Sequence, residues 1–302
     1  MKRYVDGLRY VGLSVPDYET EREFFQGLWG LTEVAQKDGV SYFATQGGEQ
    51  HHVIRLRQND DRRMEVVSFS APDRESVDGL AVHLRERGTK IISEPASLAT
   101  PGGGYGLRFF DIDGRTVEVS AEVATRNPDI VANRQGVPLT LSHAVFFTPD
   151  VAATVAFYEA TLGFNVSDWV GDFMCFLRCN TKHHCLAFLT GPASLNHVAF
   201  DMRDADDMMR GMGRLLKSNV KLNWGPGRHT AGDNTFAYFM SPGGNVVEYT
   251  AELETVDEAT WQPTVYPRTF DIIDQWGTSR IGGPVEHGQV QADPGLWTPG
   301  AI

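Results

Sequence analysis

The order of apolar and polar positions along the chain predicts a recurring succession of strands and helices. LRYVGLSV reads as a strand, DYETEREFFQGLWG has the period of an amphipathic helix closed by glycine, and VSYFATQ and HHVIRLR follow as strands bounded by turn residues. The same order of strand, helix and several strands returns in each of the next three quarters. The pattern therefore predicts an α+β fold built from four βαβββ modules.

The modules form two pairs, because segments of the second half resemble segments roughly 130 residues upstream. LRYVGLSVPD resembles LSHAVFFTPD, MEVVSFSAPD resembles LNHVAFDMRD, and GRTVEVSAE resembles GNVVEYTAE. Periodicity is lost over 127–138 and again after 252. We therefore predict a first domain over 1–130, a second over 138–252, and an extended tail over 253–302 that packs on the domain instead of forming a further module.

Three apolar strands of the second half each carry one residue that can bind a metal. His143 lies in LSHAVFF, His197 in LNHVAFD and Glu248 in GGNVVEY. Two neutral imidazoles and one carboxylate are the ligand set that binds non-haem Fe(II) and leaves coordination positions open. Their spacing matches no local metal motif, so their positions in repeated segments are what support a metal site.

The repeat also indicates that only one half holds the metal. Tyr10 stands opposite His143 and Val66 opposite His197, while Glu118 stands opposite Glu248. The first half has thus kept the carboxylate and lost both imidazoles. We predict a non-catalytic first domain and a catalytic second domain.

Composition limits the classes of partner. With 302 residues, 41% of them apolar, the chain can bury ample cores, and 27 basic against 39 acidic residues give a net charge of -12. Without a basic stripe, nucleic acid and anionic membranes are poor partners. No signal sequence and no membrane-spanning run is recognisable, so we expect a cytoplasmic protein. Three cysteines close together lack zinc-site spacing and are expected to be buried thiols: Cys175, Cys179 and Cys185.

These segments resemble the two-domain type I extradiol catechol dioxygenases of the vicinal oxygen chelate superfamily. The most specific part is WGPGRHTAGDNTFAYFMSPGGNVVEYT, from Trp224 to Thr250. The resemblance implies that each domain forms an open barrel-like sheet and that the protein is a homo-oligomer. Two positions depart from the family pattern: Ser241 stands where an acidic residue is common, and Ala237 replaces a larger apolar residue.

The resemblance also implies roles for residues around the metal. His229 and Tyr238 correspond to a histidine and a tyrosine of the family's active site, and His184, in TKHHCLAFL, to its acid/base residue. We expect these three to be catalytic, with His229 and Tyr238 also binding substrate. Val145 and Phe176 are expected to form an apolar wall for the ring.

Histidine pairs occur in both halves, and the first has no triad to serve. We therefore expect His51 and His52 to be relics or packing residues, and His183 to have a structural role.

The expected function is Fe(II)-dependent ring cleavage of an aromatic diol with O2 to a ring-opened semialdehyde, in the degradation of aromatic compounds, with Mn(II) as a possible metal. A glyoxalase-like isomerase or epimerase with Zn(II) or Ni(II), and a non-catalytic aromatic-binding resistance module, are alternatives that the sequence leaves open.

The motif segments also suggest a class of substrate. Apart from Arg228, beside His229, their only cations other than histidine are Arg178, at a strand end, and Lys182, in a turn. A buried carboxylate needs a pairing cation. We therefore expect apolar catechols such as 2,3-dihydroxybiphenyl to be preferred over carboxylated ones, unless a cation such as Arg268 of the tail reaches the pocket.

Overall fold

The first half of the chain contains two βαβββ modules. The computed structural model describes residues 2–279 and 287–290, so the parts of the predicted tail at 280–286 and 291–302 lie outside the described residues. The first module comprises β1 (Gly7–Val15), α1 (Tyr18–Glu23) extended by a π-helical segment (Phe24–Trp29), β2 (Thr32–Lys37), β3 (Val40–Ala44) and β4 (Ile54–Gln58). The second comprises β5 (Arg63–Ser70), α2 (Arg74–Glu86), β6 (Ile91–Ser97), β7 (Tyr105–Phe110) and β8 (Thr116–Ala121).

The second half repeats this order and adds the tail. The third module contains β9 (Thr140–Thr148), α3 (Val151–Leu162), β10 (Asn165–Val170), β11 (Met174–Arg178) and β12 (Leu186–Thr190). The fourth contains β13 (Ser194–Asp201), α4 (Ala205–Lys217), β14 (Leu222–Arg228), β15 (Thr235–Met240) and β16 (Val246–Ala251). The tail supplies β17 (Thr264–Tyr266), α5 (Phe270–Ile273) and β18 (Gln289–Val290).

Each half forms one open, mixed sheet. The first has the order β2-β3-β4-β1-β5-β8-β7-β6, and the second has the order β14-β15-β16-β13-β9-β12-β11-β10-β17. Within every module the first strand pairs in parallel with the last, and the first strands of paired modules are antiparallel. The predicted α+β fold of four modules in two pairs is confirmed. Its exact domain limits stay a prediction.

Helix boundaries follow from capping residues. The side chains of Asp73, Asp150 and Asp204 each accept a hydrogen bond from the backbone N–H three residues on, which starts α2, α3 and α4. Gly163 ends α3 at a φ of 79°, and a Cβ there would come within 2.4 Å of the Lys2 carbonyl oxygen. Among residues 2–279 and 287–290, no helix is long and apolar enough to cross a bilayer.

The π-helical segment joins the two halves through an aromatic contact. The indole of Trp29 is fully buried and stacks on Tyr249 of β16, with ring centroids 3.9 Å apart. The Tyr249 hydroxyl donates to the Trp29 carbonyl at 2.6 Å. Because β16 also carries Glu248, the first half packs directly behind a strand of the predicted metal site.

A second inter-half contact fills the position where Ser241 departs from the family pattern. Glu21 of α1 is fully buried, and its carboxylate accepts hydrogen bonds from the Ser241 hydroxyl, the Gly243 N–H and the Asn245 side chain. Burial raises the pKa of Glu21, and these donors oppose that rise. The turn after β15 therefore receives its carboxylate from the other half of the chain.

The three cysteines are free and buried, as predicted. Burial raises the pKa of Cys175. Cys179 and Cys185 lie with their Sγ atoms 3.4 Å apart, and the Cys185 contact, together with burial, raises the pKa of Cys179. Thiols in such surroundings are unreactive.

Candidate active site

The strand register brings His143, His197 and Glu248 onto one face of the second sheet. They lie on β9, β13 and β16, three adjacent strands at the centre of that sheet. Ala199 of β13 is paired with His143 on one side and with Glu248 on the other, and His197 is paired with Val145. Residues more than fifty positions apart in sequence therefore converge because their strands are neighbours.

The three candidate ligand atoms meet at one buried point. The Nε2 atoms of His143 and His197 lie 3.1 Å and 3.0 Å from Oε2 of Glu248, and 3.4 Å from each other. All three side chains are buried. They form the one cluster of three or more possible metal ligands among the described residues.

The negative charge of Glu248 and the position of the ring proton on His197 both suit the binding of a divalent metal. His197 Nδ1 lies 2.5 Å from Oδ1 of Asn196, an acceptor, so it carries the ring proton and leaves Nε2 free to ligate. Burial lowers the pKa of His197. Burial would raise the pKa of Glu248, but His143 and His197 lower it to about 2. The second carboxylate oxygen of Glu248 is buried without a hydrogen-bond partner, which is an unsatisfied group that a cation would satisfy.

An apolar cavity of about 660 Å3 opens above the triad. Val145 and Phe176 line it as expected, together with Phe173, Met174 and Leu189. Several other residues line the cavity, and of these only Arg268 was considered from the sequence: Asn196 beside the ligand His197, Asn223 and Trp224 on β14, and five residues of the tail, Arg268, Thr269, Phe270, Ile272 and Ile273. The tail thus forms one wall of the cavity.

His184 lies beside the triad and is held by a chain of hydrogen bonds. Its ring centroid is 4.4 Å from that of His143, and its Nδ1 atom is 2.9 Å from Nδ1 of His183. His183 Nε2 in turn lies 2.9 Å from Oδ2 of the buried Asp168. Burial lowers the pKa of His184 well below its ordinary value, and the neighbouring histidines, His143 first, lower it further. His183, for which a structural role was predicted, therefore connects His184 to a carboxylate.

The tail fixes the tautomer of His229. The Ile273 carbonyl lies 2.6 Å from Nδ1 of His229, so Nδ1 carries the proton. Burial lowers the pKa of His229 to about 4, which keeps the ring neutral. Its Nε2 must then accept from the Tyr238 hydroxyl, 3.0 Å away, and burial raises the pKa of Tyr238 well above its ordinary value. His229 and Tyr238 therefore line the cavity as a hydrogen-bonded pair.

Asp274 anchors the tail in this position. Its buried carboxylate accepts hydrogen bonds from the Arg228 and Trp276 N–H groups and from the Ser279 N–H and hydroxyl. Ser279 also accepts from the Trp224 indole, which stacks on Tyr238 at 5.1 Å. The segment around His229 and the tail are therefore one hydrogen-bonded unit.

The first half reproduces the register of the site without its ligands. Ser68 of β5 is paired with Tyr10 on one side and with Glu118 on the other. Ala199 of β13 is paired in the same way with His143 and Glu248. Arg108 stands beside Glu118 in the position of Tyr238 beside Glu248. Its guanidinium donates to Glu118 at 2.8 Å, and the Ser68 hydroxyl donates to the other carboxylate oxygen at 3.0 Å. A fixed cation thus replaces the metal.

Comparison with known proteins assigns the chain to a family. The model of the Glyoxalase/Bleomycin resistance protein/Dioxygenase superfamily matches residues 7–119 and 140–249. The chain belongs to this superfamily. It is 26% identical to metapyrocatechase 2 of Cupriavidus necator over 90% of this chain and 89% of the relative. It is 27% identical to biphenyl-2,3-diol 1,2-dioxygenase of Paraburkholderia xenovorans over 84% and 90%.

A solved structure is more similar in sequence. The Mn(II)-bound glyoxalase from Novosphingobium aromaticivorans superposes with a TM-score of 0.92 at 48% identity, covering 98% of both chains. The repeat, the fold and the named relatives together support the prediction of an enzyme of the extradiol ring-cleaving type.

Proposed function

We propose that this protein is an Fe(II)-dependent extradiol dioxygenase, which cleaves the ring of a catechol-type diol with O2. The observation that carries the proposal is the convergence of His143, His197 and Glu248 on one buried point beneath an apolar cavity. The relatives named as ring-cleaving dioxygenases support it.

His143, His197 and Glu248 would hold the metal. A divalent iron held by these three residues would supply open coordination positions for the diol and for O2, so that both reactants would meet on one centre. Mn(II) is the alternative metal, because the glyoxalase structure that is 48% identical to this chain is Mn(II)-bound. The apolar walls around Val145 and Phe176 exclude water and hold the aromatic ring.

His184 is the proposed acid/base residue, and its hydrogen-bond chain explains how it handles a proton. Nε2 of His184 has no hydrogen-bond partner among the described residues and faces the cavity, whereas Nδ1 shares a proton with His183. When Nε2 takes a proton from the diol, the shared proton can pass to His183. The resulting charge then faces the Asp168 carboxylate at 2.9 Å rather than the metal. Reversal returns the proton as the ring opens.

Tyr238 is the proposed donor to the diol oxygen. With no substrate its proton is held by His229, at 3.0 Å. A negatively charged substrate oxygen is a stronger acceptor than a neutral imidazole, so it would draw that proton toward itself. The Ile273 carbonyl keeps His229 in the tautomer that makes this exchange possible.

A glyoxalase-like isomerase is the second candidate, because the solved structure that is 48% identical to this chain is described as a glyoxalase. Such an enzyme moves a proton within its substrate and consumes no O2. The relatives named as dioxygenases and the three histidines that flank the triad support ring cleavage instead: His183, His184 and His229.

Metal analysis combined with an oxygen electrode tests the proposal. Protein reconstituted anaerobically with Fe(II) should consume one O2 per catechol cleaved and form a yellow ring-opened product. Methylglyoxal with glutathione should give no turnover with Fe(II), Mn(II), Zn(II) or Ni(II). Turnover of the glyoxalase substrate without O2 uptake would establish the second candidate and contradict the first.

Substrate preference follows from the cations that line the cavity. Arg178 donates to the Ser167 hydroxyl, and Lys182 to Asp201, so neither lines the cavity. Arg268 does line it, with its guanidinium 3.6 Å from the centre of the Phe173 ring. Arg268 is thus the exception that the sequence analysis named, whereas Arg178 and Lys182 lie outside the pocket as expected. Arg268 itself is exposed at the mouth, where water and salt weaken its attraction for a carboxylate.

We predict that 2,3-dihydroxybiphenyl has a higher kcat/KM than homoprotocatechuate. Burial of roughly 100 Å2 of a phenyl substituent contributes about 2 kcal/mol, more than an exposed ion pair. Steady-state oxygen uptake with both diols measures the preference. An Arg268→Gln variant serves as the control and should change the ratio little. A preference for the carboxylated diol that disappears in this variant would identify Arg268 as the dominant determinant.

Replacing Asp168 by asparagine tests the hydrogen-bond chain. We expect kcat to fall roughly 10- to 100-fold while KM and iron content stay close to wild type, because a neutral amide cannot stabilise a proton on His183. Asp172→Asn, an exposed change in the turn after β10, is the matched control. An unchanged kcat in Asp168→Asn would show that His184 transfers protons without the hydrogen-bond chain through His183 to Asp168.

A further inference from the structure

Two β-bulges of the second sheet turn asparagine side chains into the active-site cavity. In β13, the residues on either side of Asn196 are paired with consecutive residues of β9, so Asn196 is an extra residue of its strand. An extra residue interrupts the alternation of strand faces and redirects the side chains around it. Asn196 therefore lines the same cavity as His197, although the two residues are consecutive in the strand.

The second bulge lies at the start of β14. The residues on either side of Asn223 are paired with Phe239 and Tyr238, which are consecutive in β15. Asn223 is therefore the extra residue of β14, and it lines the cavity together with its neighbour Trp224. Both asparagines thus reach the cavity through the same kind of backbone irregularity.

The first sheet has both bulges but carries other residues in them. Glu65 is the extra residue of β5, and Ile92 is the extra residue of β6. Glu65 accepts a hydrogen bond from Arg57 at 2.7 Å, and the side chain of Ile92 has no polar group to satisfy. The bulges therefore belong to the module itself, whereas asparagine occupies them in the half that forms the active-site cavity.

Each asparagine offers an N–H2 group without a hydrogen-bond partner. Oδ1 of Asn196 accepts from Nδ1 of His197 at 2.5 Å, and no residue that the structure describes accepts from its N–H2 group. Oδ1 of Asn223 is buried without a partner, and its N–H2 group has none among the described residues. The polar part of Asn223 that borders the cavity is therefore its N–H2 group. An acceptor atom of a ligand would satisfy these donors.

The sheet order separates the asparagines from the apolar wall of the cavity. Starting from β13, the strands β9, β12, β11 and β10 follow in one direction, and β16, β15 and β14 follow in the other. The first group supplies apolar lining residues: Val145, Val170, Met174, Phe176 and Leu189. The asparagines belong to β13 and β14, on the side of Tyr238 and Trp224. An aromatic ring packed on the apolar wall can therefore direct a substituent toward the asparagines.

Resting on the function proposed above, we propose that Asn223, with Asn196 as a second donor, selects diols that carry a neutral hydrogen-bond acceptor on the ring, such as an ether or a carbonyl group. A carboxamide has no charge to compensate for the desolvation of a carboxylate, so the substituent is neutral. A site that donates a hydrogen bond to a substituent discriminates against the analogue that lacks the acceptor, because its own polar group is then left unpaired. Asn223 is thus a specificity-determining residue that contacts the substituent rather than the reacting oxygens.

Methoxycatechols and ethylcatechols form the matched pair of ligands that tests this role. The two substituents have nearly the same shape, but only the methoxy group has an acceptor oxygen. Calorimetric titration of the Fe(II)-loaded protein under argon gives the Kd of each diol, for the 3-substituted and for the 4-substituted pair. In Asn223→Ile, which introduces the residue of the equivalent bulge, binding of the methoxy diol relative to the ethyl diol should weaken about 2- to 10-fold in at least one pair, the contribution of one hydrogen bond.

Two further variants separate the amide from effects of space and folding. Asn223→Ala removes the amide without adding bulk and should weaken the relative binding of the methoxy diol by a similar factor. Thr269→Val removes another polar group that lines the cavity, from an exposed position of the tail, and should keep the wild-type ratio. Ratios that both Asn223 variants leave unchanged in both pairs, or no binding of any of these diols to wild type, would overturn the proposal.

Oxygen uptake with the same diols distinguishes this proposal from the proposed function. If wild type binds the methoxy diol through Asn223 but consumes no O2, ring cleavage is refuted while the selectivity of the cavity stands. If both diols are cleaved and the ratio does not depend on Asn223, ring cleavage stands and the role of Asn223 is refuted.

Discussion

Replacing His143 or Glu248 by alanine is expected to leave a folded protein that has lost most of its iron and nearly all ring cleavage. Each change removes one of three protein ligands from a site that already leaves positions open to reactants. We expect metal affinity to fall at least about 100-fold, since changes to residues that only orient ligands already cost up to that much.

The metal content of the purified variants measures this effect directly. Iron per chain is determined by mass spectrometry after reconstitution, and circular dichroism checks the fold. His83→Ala is the control, because its imidazole lies on α2 in the first half and contacts the Ala160 carbonyl instead of the triad. Full iron occupancy in His143→Ala or Glu248→Ala would refute the assignment of the ligands.

Replacing His184 by phenylalanine should give a different result. The variant should retain iron and bind catechol but turn over roughly 100-fold more slowly or worse, the scale of a positioned acid/base group. Phenylalanine fills a similar volume beside His143 and Phe176, so packing at the cavity is preserved while the proton path to His183 is cut. Single-turnover kinetics with iron-loaded protein separate this loss from weaker binding.

Iron content decides the interpretation of that variant. If His184→Phe is purified without metal, His184 is a ligand and the triad as assigned is wrong. If it holds iron and reacts at the wild-type rate, the proton must travel by another route, such as Tyr238 and His229.

The sequence was sufficient for the parts of the site that repeat. His143, His197 and Glu248 could be placed because each has a counterpart in a matched strand, and strand pairing then brings them together. His184 was predictable through the resemblance of its histidine pair. Successive side chains of a strand point to opposite faces of the sheet. The sequence repeat and the alternation of apolar residues therefore predict which side chains share a face.

Elements without a counterpart could not be placed in the same way. The tail has no equivalent in the first half, so Arg268 could be considered only as a possible cation of the pocket, and nothing indicated that Ile273 lines the cavity. Asp168 reads as an ordinary polar residue of a strand, and only the folded structure brings it to His183. The π-helical segment Phe24–Trp29 contacts Tyr249 through Trp29, and this contact between residues far apart in sequence was not predicted.

The Arg108–Glu118 pair indicates how the two halves would differ in their response to metal depletion. Each half buries one carboxylate at the same place in its sheet. Glu118 receives its counter-charge from an arginine of the same chain, whereas Glu248 would receive one from a bound metal ion. The charge balance at Glu118 is therefore independent of the metal supply, whereas the charge balance at Glu248, on a strand that packs against Trp29 of the first half, would depend on it.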